Sequence, residues 1–280
     1  MIYELRHFEY GEHRLSYEVH GAGPQTVVLL HGLLLDAHVN RDLGCALANA
    51  GFRVVLLDLL GHGRSDRPHD PTLHRFDLYA KQVIALLDHL QVRQAVIGGL
   101  SLGADVSLHV AALAPNRVRA LFIEMPVMEW ATPSAAILFA PLLVTVRRAK
   151  PLVRLWAKFW RAMPRPKNNT GISLMNLLSM APEELGAVLH GILVGPVVPE
   201  IAARRAMTMP TLIIGHTGDF LHPFDDAAAL ARQLPNAKFI EARSILELRT
   251  KPERMLPEIV QFFTENGMQR RIVSRVKSGT

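Results

Sequence analysis

The run Gly99-Leu100-Ser101-Leu102-Gly103 holds the residue types a covalent catalyst needs. It follows an apolar stretch, Gln94-Ala95-Val96-Ile97-Gly98, and precedes an apolar helical pattern. A strand that turns sharply into a helix at Ser101 strains the backbone there and presents the hydroxyl outward. Small residues on either side let the two chain segments pass closely. The start of the helix favours negative charge developing beside that hydroxyl. The chemistry implied is nucleophilic attack by Ser101.

Two other motifs precede it. Val27-Val28-Leu29-Leu30-His31-Gly32-Leu33 reads as a strand entering a His-Gly turn, with His31 as a loop organiser rather than a base. Leu57-Asp58-Leu59-Leu60-Gly61-His62-Gly63-Arg64-Ser65-Asp66 is a strand end followed by a Gly-rich polar loop. Its spacing fits neither dinucleotide nor phosphate-loop fingerprints. Neither a nucleotide cofactor nor a metal cluster is expected.

The elements that must position these residues alternate. Strand-like runs fall at Leu15–Val19, Thr26–Leu30, Val54–Asp58, Ala95–Gly98 and Ala120–Glu124. Helical patterns fall at Asp77–Leu90 and Leu102–Leu113. Short continuous apolar strands suit a parallel sheet buried on both faces. The rhythm breaks at residue 130 and resumes with Thr211–Gly215, a helix over Asp225–Leu234, Lys238–Glu241 and a last helix from Pro252 to about Phe263. The predicted organisation is a core of residues 1–129 and 204–267, a helical cap over 130–203, and a basic tail over 268–280.

The three motifs in this order resemble the α/β-hydrolase superfamily, in the branch with a serine at the elbow. The resemblance implies an α/β-hydrolase fold: a mostly parallel central sheet, helices on both faces and an inserted helical cap. It implies an oxyanion hole from the N–H groups of Leu33 and Leu102. Asp219, after Thr211–Gly215 and before Pro223, is similar to the family's acid. The activity implied is hydrolysis or transfer of an acyl group of a small, largely apolar ester or thioester.

One family residue is missing. The general base is normally a histidine seven residues before a Pro-Glu pair. Here Pro252-Glu253 puts Ile245 at that place, and no histidine follows His222. A serine hydroxyl without a base is a poor nucleophile. Three readings stay open. His222 can replace the lost base, with Asp219 or Glu124 as its acid; His216 is a weaker candidate. The chain can be a lyase, a cyclase or a ligand receptor instead. Or the base comes from a misaligned loop or a partner chain.

The chain has 280 residues, 49% hydrophobic, with net charge +6 and one cysteine, Cys45. A lone cysteine excludes an internal disulfide and fits a reducing cytoplasm. The N-terminus carries no signal-like apolar run, and the longest apolar run, Ala135 to Val146, falls short of the ~20 residues a spanning helix needs. Charge is uneven. Between Trp130 and Pro182 there is no acidic residue, but Arg147, Arg148, Lys150, Arg154, Lys158, Arg161, Arg165 and Lys167 all occur. Within this cap, Pro151 can open a helix. Its apolar face, including Trp156, Phe159 and Trp160, is the expected substrate wall. Its basic stripe of Arg154, Lys158 and Arg161 is expected to be solvated, or to meet an anionic headgroup, an acyl carrier or a membrane surface. No nucleic-acid motif accompanies the charge, so nucleic acid is not an expected partner.

Overall fold

The computed structural model describes residues 3–245 and 247–267; the expected tail over 268–280 lies outside the described residues. The elements in chain order are β1 (Glu4–Tyr10), β2 (His13–His20), β3 (Thr26–Leu30), α1 (Arg41–Asn49), β4 (Arg53–Asp58), α2 (Phe76–His89), β5 (Ala95–Leu100), α3 (Leu102–Leu113) and β6 (Val118–Glu124). Five helices follow: α4 (Ala131–Arg148), α5 (Lys150–Ala162), α6 (Asn169–Leu178), α7 (Pro182–Ile192) and α8 (Ile201–Arg205). Then come β7 (Thr211–His216), α9 (Phe224–Gln233), β8 (Ala237–Ala242), α10 (Glu247–Thr250) and α11 (Leu256–Gly267).

Among the described residues the strands form one eight-stranded sheet, ordered β1-β2-β4-β3-β5-β6-β7-β8. β1, β2 and β4 pair antiparallel; from β4 to β8 every neighbour is parallel. Successive side chains of a strand point to opposite faces, and the core divides accordingly. Val28, Leu30, Val55, Leu57 and Ile97 pack with α2, α3 and α9 on one face. Val27, Leu29, Val54, Leu56 and Val96 pack with α1 and α11 on the other. Both faces are buried, so these strands read as unbroken apolar runs.

The chain runs from β3 outward to β4, then returns to place β5 on the other side of β3. The loops after β3 and β5 therefore diverge, and a crevice opens at the carboxyl ends of these strands. Ligands of parallel α/β sheets bind at such a switch point.

Helices α4 to α8 fill the interval between β6 and β7, and the entry to α4 is pinned by two buried aspartates. Asp226 of α9 accepts N–H bonds from Met128 (3.0 Å), Trp130 (3.0 Å) and Ala131 (2.8 Å). Asp105 of α3 accepts one from Val127 (3.1 Å). The first N–H groups of a helix lack intrahelical partners, and Asp226 satisfies those that α4 leaves.

The structure differs from the sequence expectation at three places. β1 and α1 were not expected. The last helix is split: a 3-10 turn at Pro252–Arg254 precedes α11. Both faces of α5 are in part open: Arg154 bonds Glu183 of α7 and Arg161 donates to the Ser179 carbonyl at the end of α6 (2.7 and 3.0 Å), yet both stay exposed, as do Leu152, Leu155, Trp156 and Phe159. No helix of the described residues is long and apolar enough to cross a membrane.

Candidate active site

β5 ends at Leu100 and α3 begins at Leu102, leaving one residue to make the turn. Ser101 makes it with φ 52° and ψ −119°. A non-glycine residue held there costs about 1–3 kcal/mol, which the surroundings must over-determine. They do so with backbone bonds: the Ser101 N–H donates to the Glu124 carbonyl (2.8 Å), and its own carbonyl accepts from Asp105 (3.1 Å). The flanking glycines answer a close approach. A Cβ at Gly99 or Gly103 would lie 2.4 or 2.5 Å from the Leu30 carbonyl oxygen of β3.

The loop after β7 supplies the partners of Ser101. Asp219 closes a turn on itself: its Oδ1 accepts the N–H groups of Leu221 (2.9 Å) and His222 (3.2 Å). Its Oδ2 lies 2.7 Å from Nδ1 of His222. The opposite ring nitrogen, Nε2, lies 2.9 Å from Ser101 Oγ. A carboxylate only accepts, so Nδ1 carries the proton and Nε2 is left to accept from the hydroxyl. Burial alone would push the Asp219 pKa up. The hydrogen bond and charge of His222, with the two N–H bonds, outweigh it and hold that pKa below its ordinary value.

Glu124 does not share this arrangement. Arg249 of α10 grips its carboxylate with both terminal nitrogens (2.8 and 3.2 Å), and His216 Nε2 stands 3.5 Å away. Burial opposes ionisation, but Arg249 and His216 win and take the Glu124 pKa down to about 2. The same carboxylate lifts the His216 pKa above its ordinary value against the effect of burial. His216 is further tied by Nδ1 to the Ser244 carbonyl (2.8 Å). Glu124 and His216 thus form a buried ion cluster with Arg249, and it is Asp219, not Glu124, whose carboxylate contacts the His222 ring. Ile245, where the missing histidine would stand, is 43% exposed and lies off the cavity.

The two upstream motifs hold the loops around the serine. His31 uses both ring nitrogens on backbone, accepting from Leu59 N–H (3.1 Å) and bonding the Gly32 carbonyl (2.9 Å). Asp58 is buried and accepts from the N–H groups of Ala37 (2.7 Å) and Arg64 (3.0 Å). Gly63 has φ +53°, and a Cβ there would overlap the Asp58 carboxylate at 2.2 Å.

Ser101 and His222 open into a cavity of about 880 Å³ between the sheet and the inserted helices. Leu33 and Leu102 line its floor beside Ser101. Leu102 is the first residue of α3, so its N–H has no partner within the helix. Phe139, Leu142, Leu152, Trp156, Leu177 and Leu185 form apolar walls. Of the three aromatic residues expected on that wall, only Trp156 is there. α5 reaches the cavity with its first two turns; Phe159 and Trp160 lie a turn further along. Phe159 is 52% exposed, and Trp160 packs edge-on against Trp156 and Phe159 (ring centroids 5.8 Å apart in each pair).

The site evades one-dimensional reading in two ways. The acidic pair Asp225-Asp226 at the start of α9 gives no sign that the second reaches across to α4. Arg249 stands in the segment where the missing histidine would lie, and an arginine there is the sequence signal for a buried acid opposite.

Known proteins agree with this architecture. Residues 25–151 match the sequence family described as alpha/beta hydrolase fold. The chain is 44% identical over 107 residues to the dihydrolipoyllysine-residue acetyltransferase component of an acetoin cleaving system from Pseudomonas putida, covering 38% of this chain and 28% of that protein. It is 38% identical over 117 residues to a 2-hydroxy-6-oxononadienedioate/2-hydroxy-6-oxononatrienedioate hydrolase from Paraburkholderia xenovorans, covering 40% of each. These alignments span well under half the length of the curated relatives. Among solved structures, an enol-lactonase from Burkholderia xenovorans superposes with a TM-score of 0.74 at 19% identity, over 92% of this chain and 100% of that one. The chain has the α/β-hydrolase fold, and residues 25–151 match that family's sequence model.

Proposed function

We propose that the protein is a serine hydrolase that cleaves a small, largely apolar ester or thioester, with Ser101 as nucleophile, His222 as general base and Asp219 as the acid that orients it. The observation that carries this reading is the 2.9 Å contact between His222 Nε2 and Ser101 Oγ, backed by the 2.7 Å contact of Nδ1 with Asp219. A base must be within about 2.6–3.2 Å of the proton it takes.

In this reading His222 Nε2 removes the Ser101 proton as Oγ attacks the substrate carbonyl carbon. Negative charge moves to the carbonyl oxygen, where the N–H groups of Leu33 and Leu102 stabilise it; one such donor is typically worth about 100–1,000-fold in rate. The imidazolium is held by Asp219 and returns its proton to the leaving alkoxide or thiolate. The bond to the leaving group breaks and Ser101 carries the acyl group. Water then attacks with His222 again as base, releasing the acid and restoring the serine. Acyl transfer is the same sequence with another nucleophile in place of water.

The apolar walls of the cavity support an apolar acyl or alcohol moiety. The rival reading, a receptor or lyase, rests on the missing histidine at Ile245; the His222 contact leaves it without that support. The test is covalent labelling by a fluorophosphonate. Ser101 should label, the Ser101→Ala variant should not, and turnover of p-nitrophenyl acyl esters should disappear with the label. A folded wild-type chain that neither labels nor turns over such esters would refute the proposal.

A further inference from the structure

Among the described residues, nothing covers several large apolar side chains of α4 and α5. On α5, Leu152 is 69% exposed, Leu155 65%, Trp156 53% and Phe159 52%. On α4, Ile137 is 70% and Val144 56% exposed. Scattered apolar residues on a surface are ordinary, but Leu152, Leu155, Trp156 and Phe159, at i, i+3, i+4 and i+7, make one stripe along α5, and a contiguous stripe marks a contact. These residues sit in a stretch, Trp130 to Pro182, with eight lysines and arginines and no acid. Arg154 and Arg161 are exposed and bonded to neighbouring elements; Arg148 and Lys158 are exposed and make no ion pair among the described residues.

We infer that the α4–α5 face docks on an anionic lipid bilayer, with the mouth of the cavity against the lipid. An amphipathic helix lying in an interface combines large apolar side chains with lysine or arginine beside them, and α5 has that composition. Charge selects the occupant. A second copy of this chain would set the same cationic stretch against itself, whereas an anionic headgroup layer complements it. The patch is also continuous with the site: Leu142, Leu152 and Trp156 are exposed and line the cavity. An apolar molecule can therefore pass from the bilayer toward Ser101 without crossing water. The docking itself does not depend on hydrolysis, so it is read by binding alone.

The experiment is co-sedimentation of the full chain with vesicles of phosphatidylcholine, with and without phosphatidylserine. The expected result is binding to the anionic vesicles that weakens as salt screens the charges. Leu155 and Phe159 lie off the cavity. The double variant Leu155→Glu/Phe159→Glu should lose vesicle binding by tenfold or more (roughly) and keep its turnover of a soluble short-chain ester. Arg148→Glu/Lys158→Glu should weaken binding to anionic vesicles about tenfold or more, since each basic residue near such a surface contributes measurably. Wild-type protein that ignores anionic vesicles at low salt would overturn the inference. So would unchanged vesicle binding by both variants, or a dimer in light scattering that the Leu155/Phe159 variant dissolves. If vesicle binding persists while Ser101 fails to label, the docking stands and the hydrolase reading falls.

Discussion

Asp219 and His222, three positions apart on one loop, are held together twice: the Asp219 carboxylate takes the His222 ring N–H through Oδ2 and the His222 backbone N–H through Oδ1. Asp219 therefore shapes the loop that carries His222 as well as orienting its ring. Both residues stand in the segment after β7.

That double tie makes Asp219→Asn informative. The amide can keep the turn by accepting from the backbone, but its NH2 group faces Nδ1 and favours the wrong tautomer. We expect kcat on a p-nitrophenyl ester to fall by about 10³–10⁴-fold with little change in thermal stability. A fall in stability that matched the fall in rate would assign Asp219 to loop architecture alone.

Glu124 should behave in the opposite way. Replacing it by Gln leaves the Arg249 guanidinium buried without its partner, which costs about 3–5 kcal/mol. Denaturant unfolding should show that loss, while kcat of the folded fraction should change only a few-fold. The pH dependence has a definite sign. Glu124 has an ordinary value of 4.5 and a folded value of about 2. Its ionised form stabilises the fold above about 4.5, and that contribution is lost as pH falls through this window toward 2. The Glu124→Gln variant should lack this part of the acid titration of stability.

Asp226→Ala removes the acceptor for three N–H groups at the entry to α4. Leaving such groups unsatisfied costs about 1–3 kcal/mol. Amide exchange at Met128, Trp130 and Ala131 should accelerate well beyond the change in global stability. Equal acceleration everywhere would mean Asp226 contributes only to the core.

Trp156 is the one predicted aromatic residue that reaches the cavity. Trp156→Ala should raise KM for long-chain acyl esters by about tenfold, as expected for losing part of a large apolar contact. Acetyl esters should be unaffected. The same increase for both would place the effect in cap folding rather than in chain binding.

What could be read from the sequence follows from where the physics is local. The elbow at Ser101 was legible because a one-residue strand-to-helix turn demands small neighbours within two positions. The parallel strands were legible because burial on both faces leaves unbroken apolar runs such as Thr26–Leu30. β1 escaped because it is an edge strand with mostly exposed residues, Glu4 to His7 among them. The reach of the cavity along α5 escaped because helical periodicity shows a face without saying how many of its turns meet the site; Leu152 and Trp156 line the cavity, and Phe159 and Trp160 do not. The ion pair that holds Glu124 was not legible because its partner, Arg249, is far away in sequence and adjacent in space.

The central claim is that His222 is the base for Ser101. The most direct measurement is kcat/KM of His222→Ala on a p-nitrophenyl acyl ester, with folding checked by circular dichroism. We expect a fall of about 10⁴-fold or more, to a residual rate that the oxyanion N–H groups alone can sustain. A folded His222→Ala protein that keeps its rate within a few-fold of wild type would contradict it.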